Sequence, residues 1–209
     1  MARLTRAEQR AQTRADLLTA ARARFLEVGY TAASLEDIAD RAGYSKGAVY
    51  SNFVDKPNLC REVLAALHDD KIGQLTELAT APGDLQDRID RIAEWVERTV
   101  GDVGWTMLEL EFVTVSRNDP HLRAMVVDLR NAAQRTVVDM LRALLRGDAP
   151  DDAIADAEAD LYELGDTADL LLSAGIGLGI QRAVDPTLSA EPVIASMRST
   201  LTMLAAGVL

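Results

Sequence analysis

Residues 34–56 read SLEDIADRAGYSKGAVYSNFVDK, and this stretch predicts two short helices joined by a tight turn, a helix-turn-helix. Leu35, Ile38 and Ala39 give the first helix a narrow apolar face, on which a side chain larger than that of Ala39 would push the second helix away. Gly43 stands where that helix must stop, because glycine enters left-handed backbone without a steric penalty. Ser34 is placed to cap the first helix, with Asp37 three residues on at near-capping-box spacing, and Ser45 is expected to cap the second. Val49 and Phe53, four apart, turn the second helix inward and leave Lys46, Gly47, Ala48, Tyr50, Ser51 and Asn52 outward. That outward set suits a DNA groove. Lys46 and Tyr50 can reach phosphates or base edges, Asn52 offers a donor and an acceptor together, and Gly47 and Ala48 permit close backbone approach.

Upstream, a helix is expected from Arg6 to Val28, ending at Gly29, with Leu17, Leu18, Ala21, Phe25 and Val28 as its buried stripe. The run AARARFLEVGY, continued by TAASLEDIADRAGYSKGAVYSNFVDK, resembles the amino-terminal DNA-binding domain of the tetracycline-repressor (TetR) family. Phe25, Gly29, Tyr30, Ile38, Ala39, Gly43, Tyr50, Phe53 and Lys56 all fit that family's pattern. Pro57 and Asn58 depart from it where the next helix begins, a position at which proline is well tolerated. The resemblance covers about the first sixty residues. It implies an all-α protein of about nine helices, in which residues 1–56 form a three-helix DNA-binding head and residues 57–209 a helical ligand-binding and dimerisation domain. Ser34, Ser45, Lys46, Gly47, Ala48, Tyr50, Ser51, Asn52 and Lys56 are then the expected DNA-binding residues.

A net charge of −11 is unusual for a DNA-binding chain until it is divided. Residues 1–60 hold nine Lys/Arg against seven Asp/Glu, and the remainder thirteen against twenty-six. The head is mildly basic, and Arg3, Arg6, Arg10 and Arg14 are candidates for either phosphate contact or plain solvation, while the acidic remainder discourages non-specific docking. At 209 residues and 48% hydrophobic content, the chain can bury one small head and one sizeable helical core. No apolar run is long enough to span a membrane and MARLTRAEQR lacks a secretory signal, so a cytoplasmic, membrane-free protein is expected. Cys60 has no second cysteine to pair with and reads as a small buried hydrophobe.

Beyond the head, helices are expected at about 57–79, from an Asp84 cap to about Val100, over WTMLELEFVTVSRN, from Pro120 to about Arg146, from Asp166 or Thr167 to Val184, and from Glu191 to Ala206. Residues 147–166 read as an acidic connection with at most a short helix. Trp95, Trp105, Met107, Leu108, Glu109, Phe112 and Met125 are candidate lining for a ligand cavity. Trp105, Leu108, Glu109 and Phe112 share a helix face, so Glu109 would suit a cationic or amphipathic ligand. The glycines of LLLSAGIGLGIQRAV lack the strand and spacing of a dinucleotide fingerprint. Gly175 and Gly179 instead lie one turn apart on one helix face, where small residues permit close helix contact. The family resemblance implies that the last two long helices form a four-helix bundle with a second subunit, which makes Leu172, Gly175, Ile176, Gly179, Ile180 and Met197 the expected homodimer interface.

Two heads on a two-fold axis would reach successive major grooves of a palindromic operator in double-stranded DNA, about 34–36 Å apart or a multiple of it. By resemblance, control is expected through a small-molecule inducer that respaces the heads and releases a repressor from its promoter. Catalysis is not expected. His68 and His121 are the only histidines, they have no partner at metal-ligand spacing, and no nucleophile sits beside a base, so neither a metal nor a cofactor is implied. The competing class is a helical DNA-binding or interaction protein controlled by a protein partner without an inducer, and salt-dependent, sequence-selective DNA binding separates the two.

Overall fold

A computed structural model describes residues 5–100, 102–146 and 159–206. Among the described residues there are nine α-helices and no strand: α1 Arg6–Ala32, α2 Leu35–Ala42, α3 Lys46–Asn52, α4 Lys56–Ala79, α5 Leu85–Thr99, α6 Val103–Ser116, α7 Pro120–Arg146, α8 Ala159–Val184 and α9 Glu191–Ala205. The all-helical class expected from the sequence is the one observed. The regular run of α1 breaks where expected, at Gly29 (φ 80°, ψ 176°), with one further turn reaching Ala32. One boundary differs from expectation. α8 starts at Ala159, not at Asp166 or Thr167, because Gly165 lies inside the helix at a cost of only about 1 kcal/mol relative to alanine. Arg3 and residues 147–158 lie outside the described residues.

The chain divides into two compact units. The first comprises Met1–Leu67 with Met107–Leu129. Here α1 packs on α2 and α3, and α2 on α3, through Leu17, Ala21, Phe25, Ile38, Ala39 and Val49, all fully buried. Each large aliphatic or aromatic side chain so buried contributes about 1.5–3 kcal/mol. Two local devices fix the elements. At the start of α1 the Thr5 hydroxyl accepts from the Glu8 N–H at 3.2 Å while the Glu8 carboxylate accepts from the Thr5 N–H at 2.7 Å, a complete capping box. At the end of α2, Gly43 adopts φ 76° and bonds back to Ala39 and Asp40 carbonyls, as the sequence leads one to expect.

Caps on the helix-turn-helix follow the sequence only in part. Ser34 Oγ accepts from the Asp37 N–H at 3.0 Å, but the reciprocal half of a capping box is not made, because the Asp37 carboxylate pairs with Arg24 and Arg41. Ser45 occupies the N-cap position of α3, yet its side chain makes no cap bond. Its hydroxyl is not needed to hold the helix, whose Val49 is already locked into the core.

The second unit comprises His68–Thr106 with Arg130–Leu209. Asp84 and Asp87 form a capping box at the start of α5, α5 packs on α9, and α9 on α8. Its core gathers Ile72, Ala79, Ile89, Ile92, Val137, Leu141, Leu144, Leu164, Ala168 and Leu201, and a smaller cluster joins Ala93, Leu178, Ala190 and Ile194. Among the described residues no helix is long and apolar enough to cross a membrane.

Candidate nucleic-acid interface

The turn at Gly43 and the burial of Val49 set which way α3 faces. Phe53, 3% exposed, closes the buried side just past its last residue. Lys46, Gly47, Tyr50 and Ser51 are exposed and Ala48 and Asn52 are half-buried, with Tyr50 at 54% exposure. Lys46 Nζ lies 3.7 Å from the Glu36 carboxylate, both side chains largely in solvent, a loose pair that leaves the ammonium able to swing to a phosphate. The Ser51 hydroxyl donates to the Ala48 carbonyl at 2.9 Å. Asn52 Nδ2 donates to the same carbonyl at 2.8 Å, and its Oδ1 is buried without a hydrogen-bond partner among the described residues. The Asn52 amide is therefore turned back onto its own helix, and the side chains that α3 holds out most freely are those of Lys46 and Tyr50.

The basic residues flanking α3 have structural work that the sequence does not announce. Arg10 Nη2 donates to the Ser51 carbonyl at 3.3 Å. Arg14 pairs with Glu62 at 2.5 Å and lies over the Phe53 ring, 4.7 Å from its centroid. Lys56 Nζ donates to the Thr31 carbonyl at 3.1 Å and sits 4.6 Å above the Tyr30 ring; its partial burial holds its pKa below the ordinary lysine value against the pull of Cys60 and Glu111. Tyr44 Oη donates to Asp16 at 2.8 Å, tying the turn to α1.

Sequence reasoning missed Glu111. Its carboxylate accepts from the Tyr30 N–H at 2.6 Å and the Thr31 N–H at 2.9 Å, at the kink where a Cβ on Gly29 would run into that same carboxylate. Tyr30 meets Phe112 edge-on at 5.3 Å, so the end of α1, the start of α4 and the second half of α6 form one knot within the first unit. Burial pushes the Glu111 carboxyl up, but the bonds from Thr31 and Tyr30 and the charge of Lys56 outweigh it and hold the group below its ordinary value. Burial likewise raises Tyr30 to about 12 and pushes the Cys60 thiol well up, consistent with an inert, buried cysteine.

Of the residues considered for a ligand cavity, Leu108, Phe112 and Met125 are buried in the first unit, where Glu109 is half-buried and Met107 is 44% exposed. Trp95 and Trp105 belong to the second unit. Trp95 Nε1 donates to Gln74 at 2.9 Å. Trp105 stands edge-on to His68 at 6.0 Å and below Lys71 at 5.8 Å, and its Nε1 is buried without a hydrogen-bond partner among the described residues. A groove of about 430 Å³ lies in this unit, lined by Lys71, Arg98, Thr99, Val100, Asp102, Val103, Arg182 and Pro186. On α8 and α9, Leu172 and Met197 pack against the unit's core, Ile180 is half-buried, and Ile176 is 48% exposed. A Cβ on Gly175 would meet nothing within 4 Å, whereas one on Gly179 would come within 3.1 Å of Thr106 Oγ1. The glycine face is thus partly used inside the chain.

Residues 17–63 match the family model of the bacterial regulatory proteins, tetR family. The transcriptional repressor AcnR of Corynebacterium diphtheriae is 27% identical over 146 residues, spanning 68% of this chain and 72% of its own. The transcriptional activator FasR of Mycolicibacterium smegmatis is 27% identical over 197 residues, spanning 92% and 82% respectively. Among solved structures, a Mesorhizobium loti protein assigned to the TetR family has a TM-score of 0.68 at 20% identity, covering 98% of both chains. The transcriptional regulator FadR of Bacillus subtilis, in complex with stearoyl-CoA, has a TM-score of 0.56 at 16% identity, covering 93% of this chain and 99% of its own. At these identities the structural likenesses speak for the fold.

Proposed function

This chain is a transcriptional regulator of the tetR family, and on that premise we propose that it is a homodimeric repressor that binds a palindromic operator and leaves it when a small molecule binds. The observation that carries the reading is the face of α3. Lys46 and Tyr50 project from a helix whose opposite side is fully buried, behind a turn that only a residue at ease with φ 76° can make. Short helices presented in this way enter the major groove, with phosphate contacts fixing position and side chains reading base edges. In this reading residues 1–56 are the DNA-binding head and 57–209 the regulatory and dimerisation part, acting in the cytoplasm where the operator is.

Dimerisation through α8 and α9 is supported by Leu170, Ile176 and Met203, apolar yet 57%, 48% and 39% exposed, and by the open space at Gly175. Ligand control is supported by the groove of the second unit, whose volume falls in the range of small-molecule sites, and by a structural relative that holds stearoyl-CoA. One relative represses and another activates, so the direction of control is what the experiment must read. Transcription from the promoter adjoining the gene should rise when the gene is deleted, fall when the wild-type protein is restored, and stay high with Tyr50→Ala. A fall on deletion would make the protein an activator.

A further inference from the structure

We propose that the groove of the second unit binds a small molecule by a compact anionic group, phosphate or carboxylate, held by Lys71, Arg98 and Arg182. The charge distribution carries the inference. The second unit holds ten Lys/Arg against twenty-one Asp/Glu, yet three cations and one carboxylate, Asp102, line its groove. Cations outnumbered two to one across the unit are thus in threefold excess at this one concavity.

They arrive from three elements: Lys71 from the middle of α4, Arg98 from the last turn of α5 and Arg182 from the last turn of α8. Basic residues in a last helical turn are explained by the helix dipole, which covers the two arginines and leaves Lys71 unexplained. Asp102 Oδ1 accepts from the Trp105 N–H at 3.3 Å, a contact that leaves its charge in place, so the four charged lining residues still sum to a net positive groove. Arg182 is held by the Glu97 carbonyl at 3.1 Å, with the Glu97 carboxylate 3.9 Å away. Lys71 and Arg98 have no ion-pair partner among the described residues. Converging like charges repel unless an anion joins them. Guanidinium groups supply paired donors to phosphate and carboxylate, and an ammonium adds a point charge. A groove of about 430 Å³ has room for such a group together with part of the molecule that bears it.

The site rests on the reading of this unit as a small-molecule sensor, but it is tested by direct binding. The intact protein carrying Trp95→Phe, which leaves Trp105 as its one tryptophan, is titrated at low salt with pyrophosphate and, separately, with succinate. Calorimetry and Trp105 fluorescence are followed, since Lys71 lies 5.8 Å from that ring. Saturable binding of either anion is expected, accompanied by a fluorescence change and weakened at least tenfold in Lys71→Gln/Arg98→Gln, whose melting temperature without anion matches the parent's. The anion that binds distinguishes phosphate from carboxylate recognition. Absence of saturable binding by both, or equal affinity in the double variant, overturns the site. Operator binding is measured on the same preparations. Protein that binds operator but neither anion removes this site alone, and protein that binds an anion but no operator supports the site while removing the repressor reading.

Discussion

Tyr50 and its neighbour Val49 differ by one position and by nearly everything else: Val49 is fully buried and Tyr50 54% exposed. Truncating an exposed side chain away from any cap or network changes stability by about 0.5 kcal/mol or less. Tyr50→Ala is therefore expected to melt like the wild type yet bind operator at least about fivefold more weakly in fluorescence anisotropy, in line with about 1–3 kcal/mol for a good base contact. Lys46→Ala should weaken binding across sequences and flatten the dependence of log affinity on log salt by about one unit. Glu111 makes a prediction about folding. Its carboxyl titrates below the 4.5 of an unperturbed glutamate, so the stability it contributes is complete above that value and is lost as the pH falls through its folded pKa. Glu111→Gln should unfold more readily at neutral pH in urea titrations, and the gap from wild type should close below about pH 4.5. A gap that is constant with pH would assign the effect to shape and not charge. The sequence pointed to Glu109, because helical spacing groups it with Trp105 and Phe112. Nothing local in a sequence pairs Glu111 with backbone N–H groups eighty residues earlier.

At the scale of elements, two glycines take left-handed backbone for separable reasons. Gly43 sits at φ 76° with nothing within 4 Å of a would-be Cβ, and Gly29 at φ 80° with the Glu111 carboxylate in the way. Gly43→Ala should cost about 1–2 kcal/mol, the price of the backbone conformation alone. Gly29→Ala should cost more, because it also dislodges the Glu111 clamp. Denaturant melts of the two variants check the order. The stop at Gly43 was legible because a glycine after an amphipathic run has one common use. The break at Gly29 was legible for the same reason, but the turn beyond it, Tyr30–Ala32, was not, since it is held by Glu111 and Lys56 from distant α6 and α4. Ser45 shows the converse limit. Its type and position read as a cap, but core burial of Val49 fixes α3 without it.

For the whole molecule, the partition of charge along the chain was legible, because counting needs no geometry. Which cations are spent internally was not: Arg14 goes to Glu62 and Phe53, and Lys56 to Thr31 and Tyr30, pairings fixed by the packing of separate helices. The proposed homodimer can be tested on the whole molecule. Gly175→Leu adds bulk where the chain itself leaves open space, so sedimentation should show a dimer converted to a monomer of unchanged helical content. Gly179→Leu presses on Thr106 and should lower the melting temperature even of the monomer.

Whether two copies of α3 read DNA from a two-fold axis is decided by a footprint of the purified protein on the DNA flanking its own gene, at two salt concentrations with Tyr50→Ala as control. The expected result is a protected palindrome whose half-sites lie one helical turn or a multiple apart, fading as salt rises and absent in the variant. Protection that is indifferent to Tyr50→Ala, or that covers a single asymmetric site, would contradict it.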